Sequence, residues 1–277
     1  MRIQTVVTIL LLVSLVGACL LPASAHAVNY GAGARSSPGY HFRLYPYYYC
    51  ADTRSDKAGN PTLQDLGLRK YGVYVSSDYY VGDLHLNVII PVGAIEVGKL
   101  KSDDAGLGDI QLRAGWFLPV EWVTVQPVLL VKAPTGGFDK QYPVNFGDGQ
   151  TDLVMELYLY KLMAPFAFDA VFKYVVRFRN PESDFTPGNE FVAEGLATVR
   201  LAEKIRIGPA INFITGADNK QGGKTLADSG LLRLAVGGEI VYGRLEHLKI
   251  SLAAYQDLLT RNSTEGILVV SRLSFVF

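Results

Sequence analysis

The segment 165–179 alternates without a break. Phe166, Phe168, Ala170, Phe172, Tyr174, Val176 and Phe178 fall on one parity, and Asp169, Lys173, Arg177 and Arg179 on the other. An extended chain sends these two sets to opposite faces. A helix would scatter both around its circumference. In water the aromatic stripe would need a second sheet to cover it, and the chain offers no pattern for one. The stripe is expected to face hydrocarbon while the charges face an interior.

Eleven further segments share this period of two at about the length a tilted membrane strand needs. They fall at 39–50, 66–76, 82–92, 107–117, 121–133, 150–161, 190–201, 204–215, 231–243, 246–257 and 266–277. Their connections alternate in length. Short turns are expected at 77–81, 118–120, 162–164, 202–203 and 244–245. Longer, polar, Gly-rich loops are expected at 51–65, 93–106, 134–149, 180–189, 216–230 and 258–265. Short turns on one rim and long loops on the other are the habit of outer-membrane barrels, with the short side in the periplasm. A soluble β-sandwich does not sort its loops this way. The expected fold is all-β, an antiparallel transmembrane β-barrel of about twelve strands over 39–277, in contact with outer-membrane lipid. Tyr45, Tyr47, Tyr48, Tyr49, Tyr79, Tyr80, Trp116 and Trp122 fall near strand ends, where amphipathic rings sit at headgroup level.

Composition agrees, with 28 Gly, 16 Tyr and 13 Phe against only 3 Met. Lys and Arg total 26 and Asp and Glu total 26, so no basic field exists to draw nucleic acid. The N-terminus reads as a secretory signal over 1–27. Arg2 precedes an apolar run from Ile9 to Leu21, and Ala23-Ser24-Ala25 and Ala25-His26-Ala27 offer cleavage sites. Val16-Gly17-Ala18-Cys19 also loosely matches a lipoprotein cleavage box. If cleavage follows Ala25 or Ala27, Cys50 is the single cysteine left and no internal disulfide is possible. Residues 28–38 lack a period and read as a short arm, in the periplasm or in the lumen. Arg35 is its one charge, able inside the lumen to pair with Glu156 or Glu194 and so to act in gating.

The chain ends Gly266-Ile267-Leu268-Val269-Val270-Ser271-Arg272-Leu273-Ser274-Phe275-Val276-Phe277. A soluble edge strand rarely ends on a bare aromatic residue. This ending resembles the terminal strand of bacterial outer-membrane barrels. That resemblance implies that Phe275 and Phe277 belong to a signal read by the barrel-assembly machinery.

The inward parity carries a mixed-charge ladder of Arg113, Lys132, Asp152, Glu156, Asp169, Lys173, Arg177, Arg179, Glu190, Glu194 and Arg206. If the 162–164 turn sets the register, Glu156 lies opposite Val171 and diagonal to Lys173. Across the 180–189 loop, Arg179 falls near Glu190 and Arg177 near Glu194. Opposite charges at such spacings pair. The ladder is either a charged constriction that filters a solute or an ion-pair network that fills a narrow barrel.

Enzyme signals are thin. His26, His41, His85 and His247 lack zinc spacing, and no Gly-x-Ser-x-Gly elbow occurs. His85 with Ser76 and Ser77 is the one weak pairing that suits a barrel lipid hydrolase, and the serines fall at an expected turn. Lys132-Ala133-Pro134-Thr135-Gly136-Gly137 lacks the Gly-Lys-Ser/Thr of a phosphate loop. No catalytic residue, metal or cofactor is expected.

Three motifs stand in order: Gly106-Leu107-Gly108-Asp109, Lys132-Ala133-Pro134-Thr135-Gly136 and Gly147-Asp148-Gly149-Gln150-Thr151-Asp152. From about Gly106 onward the chain resembles the MetA-pathway of phenol degradation family of exported proteins. The resemblance implies uptake of small, often aromatic, compounds and names no binding residue. The expected function is a passive outer-membrane channel for a small organic solute. The alternatives are a structural or adhesive barrel acting through its loops and, behind that, a surface enzyme.

Overall fold

A computed structural model describes residues 28–276 apart from 246 and 247. The expected signal peptide, with Cys19 and His26, lies outside the described residues, as do His247 and Phe277. Twelve long strands form the wall: β1 Gly39–Ser55, β2 Leu68–Val81, β3 Leu84–Val97, β4 Gln111–Trp116, β5 Thr124–Lys132 and β6 Asp152–Met163. β7 Phe166–Arg177, β8 Glu190–Ala202, β9 Ile205–Gly216, β10 Leu232–Leu245, β11 Leu248–Arg261 and β12 Thr264–Val276 complete it. Each pairs antiparallel with its neighbour, and β12 pairs with β1, so the sheet closes. Closure leaves no row of unpaired backbone groups facing hydrocarbon, which is what a bilayer demands of strands.

Burial is inverted relative to a soluble protein. Phe166, Phe168, Phe172, Tyr174 and Phe178 are exposed on the outer surface, while Asp169, Lys173 and Arg177 are buried. The same split runs along β12, where Ile267 points out and Leu268, Val270 and Arg272 point in. At the closing seam the rings of Phe275 and Phe42 lie 6.2 Å apart, beside the Leu44–Leu273 pair. The aromatic residues near strand ends divide by parity. Tyr40, Tyr79 and Trp116 face outward at the short-turn rim, and Tyr80 faces the lumen. Tyr45, Tyr47, Tyr48 and Tyr49 do not lie at a strand end as expected, because β1 runs on to Ser55, and within it Tyr47 and Tyr49 face the lumen.

One expected turn is overturned. The 77–81 stretch belongs to β2, and the reversal is at Gly82–Asp83, with Gly82 at φ +56°. Ser76 and Asp78 mimic turn chemistry in the sequence, but alternation sends both side chains into the lumen, where they are buried. The long loops are not featureless. Ser102–Leu107 adds a hairpin strand to β3, and Phe185–Thr186, Lys220–Gln221 and Lys224–Thr225 form a small sheet linking two outer loops. The outer loop 133–151 folds inward. Val144 and Phe146 join Leu66, Leu68, Ile95 and Val97 at the long-loop end of an apolar cluster that continues along the lumen to Val28 of the arm.

Candidate functional site

The lumen is crossed by ion pairs, built because alternate residues of every strand must point inward. The β6–β7 reversal is a two-residue turn at Ala164–Pro165, with Met163 opposite Phe166. That moves the expected register by two residues: Glu156 stands directly opposite Lys173, not Val171. Glu156 nevertheless pairs with Arg113, which also donates to the Tyr158 hydroxyl. Lys173 instead meets Glu194 at 3.1 Å, and Arg177 meets Glu190 at 2.8 Å. Arg179 does not face the lumen. β7 ends at Arg177, and the next residues turn onto the rim, where Arg179 pairs with Asp184 at 3.0 Å and stays exposed. On the opposite wall Arg233 meets Asp257 at 2.5 Å and lies over the Tyr49 ring at 5.3 Å.

The arm enters this lumen. Tyr255 donates to the carbonyl of Val28 at 3.3 Å, and Ser251 Oγ lies 3.3 Å from Asn29 Oδ1. The Tyr30 and Gly31 amides donate to Glu239 at 2.6 Å and Asp169 at 3.0 Å. Arg272 donates to the Tyr30 carbonyl at 2.9 Å, and the Arg206 guanidinium lies 4.7 Å from the Tyr30 ring centre. Arg206 also donates to Thr198 Oγ1 at 3.2 Å. Charged groups thus hold the neutral backbone of the arm. Arg35, expected to reach Glu156 or Glu194, pairs instead with Asp83 in the β2–β3 turn and lies 5.2 Å over the Phe117 ring. By Arg35 the arm has already returned to the short-turn rim, out of reach of the ladder.

A second cluster sits where β1, β2 and β3 meet. Asp78 accepts from Arg43 at 2.6 Å and from Ser76 at 3.0 Å, and lies 2.8 Å from His85 Nε2. Gln126 Nε2 lies 3.0 Å from the other His85 nitrogen. Asp78 therefore stands between Ser76 and His85. A nucleophile must give its proton directly to its base, and here both histidine nitrogens are engaged elsewhere. The sequence conceals this cluster because Asp78 sits in a stretch that imitates a turn. The Gly82–Asp83 reversal that sets Tyr80 opposite His85 is the signal that could have found it.

At the long-loop rim the three sequence motifs close on one another. Asp109 accepts from the Gly136 and Asp148 amides, each at 2.9 Å. Lys132 pairs with Asp148 and meets Asp152 at 2.5 Å. A Cβ on Gly147 would fall 2.7 Å from the Gly136 carbonyl carbon, so two backbones pass with no room for a side chain. Burial pushes the Asp109 carboxyl above the usual range, helped by the charge of Asp148. Burial acts the same way on Asp148, but Lys132 and Arg177 outweigh it and hold that carboxyl low. These motifs are a structural knot.

Below the knot and around the arm, a cavity of about 400 Å³ opens toward the short-turn rim. Arg43, Asp78, His85, Lys249, Arg272 and Ser274 are among its walls. No group of metal-ligating side chains occurs among the described residues.

The sequence model of the MetA-pathway of phenol degradation family matches residues 51–273, well beyond the part carrying the three motifs. The chain belongs to this family. No curated protein matches it. Among solved structures, the COG4313 outer membrane channel from Pseudomonas putida F1 superimposes on this member of the phenol-degradation family with a TM-score of 0.79 at 16% identity. That alignment covers 90% of this chain and 100% of the other. The NanC porin gives a TM-score of 0.53 at 10% identity, covering 85% of this chain and 100% of the other. The translocator domain of the autotransporter NalP from Neisseria meningitidis gives 0.50 at 10% identity, covering 88% and 90%. At these identities the shared property is the fold, an outer-membrane barrel. This family member resides in the bacterial outer membrane.

Proposed function

We propose that the protein is an outer-membrane channel for a small organic solute and that its own N-terminal arm occludes it at rest. The observation carrying this reading is the arm inside the lumen, held by hydrogen bonds from Tyr30 and Gly31 to Glu239 and Asp169 and from Arg272 to Tyr30. Val28 of the arm also packs into the apolar cluster of the lumen, with Tyr30 and Ala32 against it. The contacts to charged walls are made by the backbone of the arm, and these can be replaced by water at a net cost of about 1.5–3 kcal/mol each. The family match points toward uptake of aromatic compounds, and the resemblance to a channel and a porin fits passive flux. The Ser76–Asp78–His85 order argues against hydrolysis. In the same reading the barrel-assembly machinery recognises the terminal strand through Phe275 and Phe277.

The apolar cluster of Val144, Phe146, Leu66 and Leu68 favours a second reading. In it the long-loop end stays filled and the barrel acts through its surface loops. Proteoliposomes separate the two. A channel makes vesicles carrying the purified protein swell in a small neutral solute such as arabinose, and faster with the arm deleted. Vesicles that stay impermeable with the arm deleted would sink the channel reading.

A further inference from the structure

Three cationic side chains converge on the mouth of the cavity from three adjacent strands. Arg43 on β1 and Lys249 on β11 both stand opposite Ser274 of β12, one on each side. Arg272 lies two residues deeper on β12, so it shares their inward face. Arg43 is committed to Asp78 at 2.6 Å. The other two differ. No carboxylate among the described residues lies within 4.0 Å of Lys249 or Arg272. Arg272 is 5% exposed, lines the cavity, and its Nε has no hydrogen-bond partner. A buried donor left empty is costly, and such groups are rare without a reason.

Glu239 and Asp169, the carboxylates nearest in reach, each receive a backbone amide of the arm, from Tyr30 and Gly31. A neutral amide leaves each carboxylate its charge, so the two still offset the cations from a distance, but neither makes direct contact with the Lys249 ammonium or the Arg272 guanidinium. A ligand carboxylate placed between Lys249 and Arg272 would give both cations a direct partner. The Ser274 hydroxyl, also on the cavity wall, adds a donor. Tyrosines flank the position: Tyr45 lines the cavity, and the Tyr30 ring centre lies 5.3 Å from Lys249 Nζ. A volume of about 400 Å³ is in the range that holds one small ligand.

We infer that Lys249, Arg272 and Ser274 form a carboxylate-binding subsite in the short-turn half of the lumen and that it takes a single-ring aromatic carboxylate. The inference rests on the channel reading for its purpose, since a subsite beside the arm would select what passes. Its existence is testable without any flux.

Binding of benzoate to the purified full-length mature barrel in detergent, by equilibrium dialysis, is the direct measurement, with benzamide as the neutral isostere. Benzoate binds and benzamide does not. Lys249→Gln weakens benzoate about tenfold, the scale of one hydrogen bond to a charged group, and Lys249→Arg restores it. Lys249 meets the arm at the Tyr30 ring, so protection of the arm from protease is measured beside binding in Lys249→Gln, and unchanged protection shows that the arm is still in place. Equal binding of benzoate and benzamide overturns the inference, as does unchanged benzoate binding in Lys249→Gln. Binding in a barrel that conducts nothing would refute the channel reading and leave the subsite standing.

Discussion

At the scale of residues, adjacent positions on one strand meet opposite solvents. Phe172 is exposed on the outer wall near the middle of β7, and Lys173 beside it is buried against Glu194. Phe172→Arg places a charge in hydrocarbon and costs about 2–4 kcal/mol. Lys173→Met strands a buried carboxylate and costs about 3–5 kcal/mol, most of which Glu194→Gln in the same chain returns. Urea unfolding in lipid vesicles measures both, and a double variant as unstable as the single one would show that the pair is not coupled. Gly147→Ala pushes a methyl group into the Gly136 backbone and lowers stability by about 1–3 kcal/mol, the usual cost of overpacking. The knot also has a pH signature. Asp148 is held below its unfolded value, so its stabilisation is present at neutral pH and is lost as pH falls through its folded value. Asp109 is held above, so its contribution has the opposite sign and fades as pH rises. Asp148→Asn is therefore expected to be the less stable form at pH 7 and to converge on the parent in acid. Unfolding midpoints across pH check this, and parallel curves would contradict it.

At the scale of elements, hairpins set which charges meet, and the arm sets what the lumen can pass. Ser251 and Asn29 touch through their side chains at 3.3 Å. A disulfide from Asn29→Cys and Ser251→Cys, made with Cys50→Ser, should abolish channel openings when oxidised and restore them on reduction. Openings that persist in the oxidised form would mean that the arm does not occlude. Period-two alternation made the strands legible from the sequence, because each face meets one solvent along its whole length. Register was legible only where the turn was read correctly. Placing the β6–β7 reversal one residue early set Glu156 against Val171, and counting through the 180–189 loop put the rim residue Arg179 in the lumen. Asp78 was hidden for a related reason, since Ser-Ser-Asp has the chemistry of a turn in either setting. The arm's entry could be entertained but not its grip, because Glu239 and Arg272 lie more than 200 residues away in the chain. Arg35, its most conspicuous residue, stays outside with Asp83.

At the scale of the whole molecule, a closed wall carries short turns on one rim and folded loops on the other. Protease sites inserted at Gly137 and Gly222 are expected to be cut on intact cells, and sites at Ala164 and Glu203 only after the outer membrane is opened. Cutting of both sets on intact cells would contradict the orientation. The wall encloses the working parts in the lumen: an arm held by Glu239, Asp169 and Arg272, and around it a cavity whose walls include Arg43, Lys249 and Arg272. The most direct test is single-channel conductance in planar bilayers of the protein lacking Asn29 to Ser37, compared with the parent. Larger and longer openings are expected from the deleted form, with the barrel folded as before. Conductance equal to that of the parent would show that the arm does not close the pore.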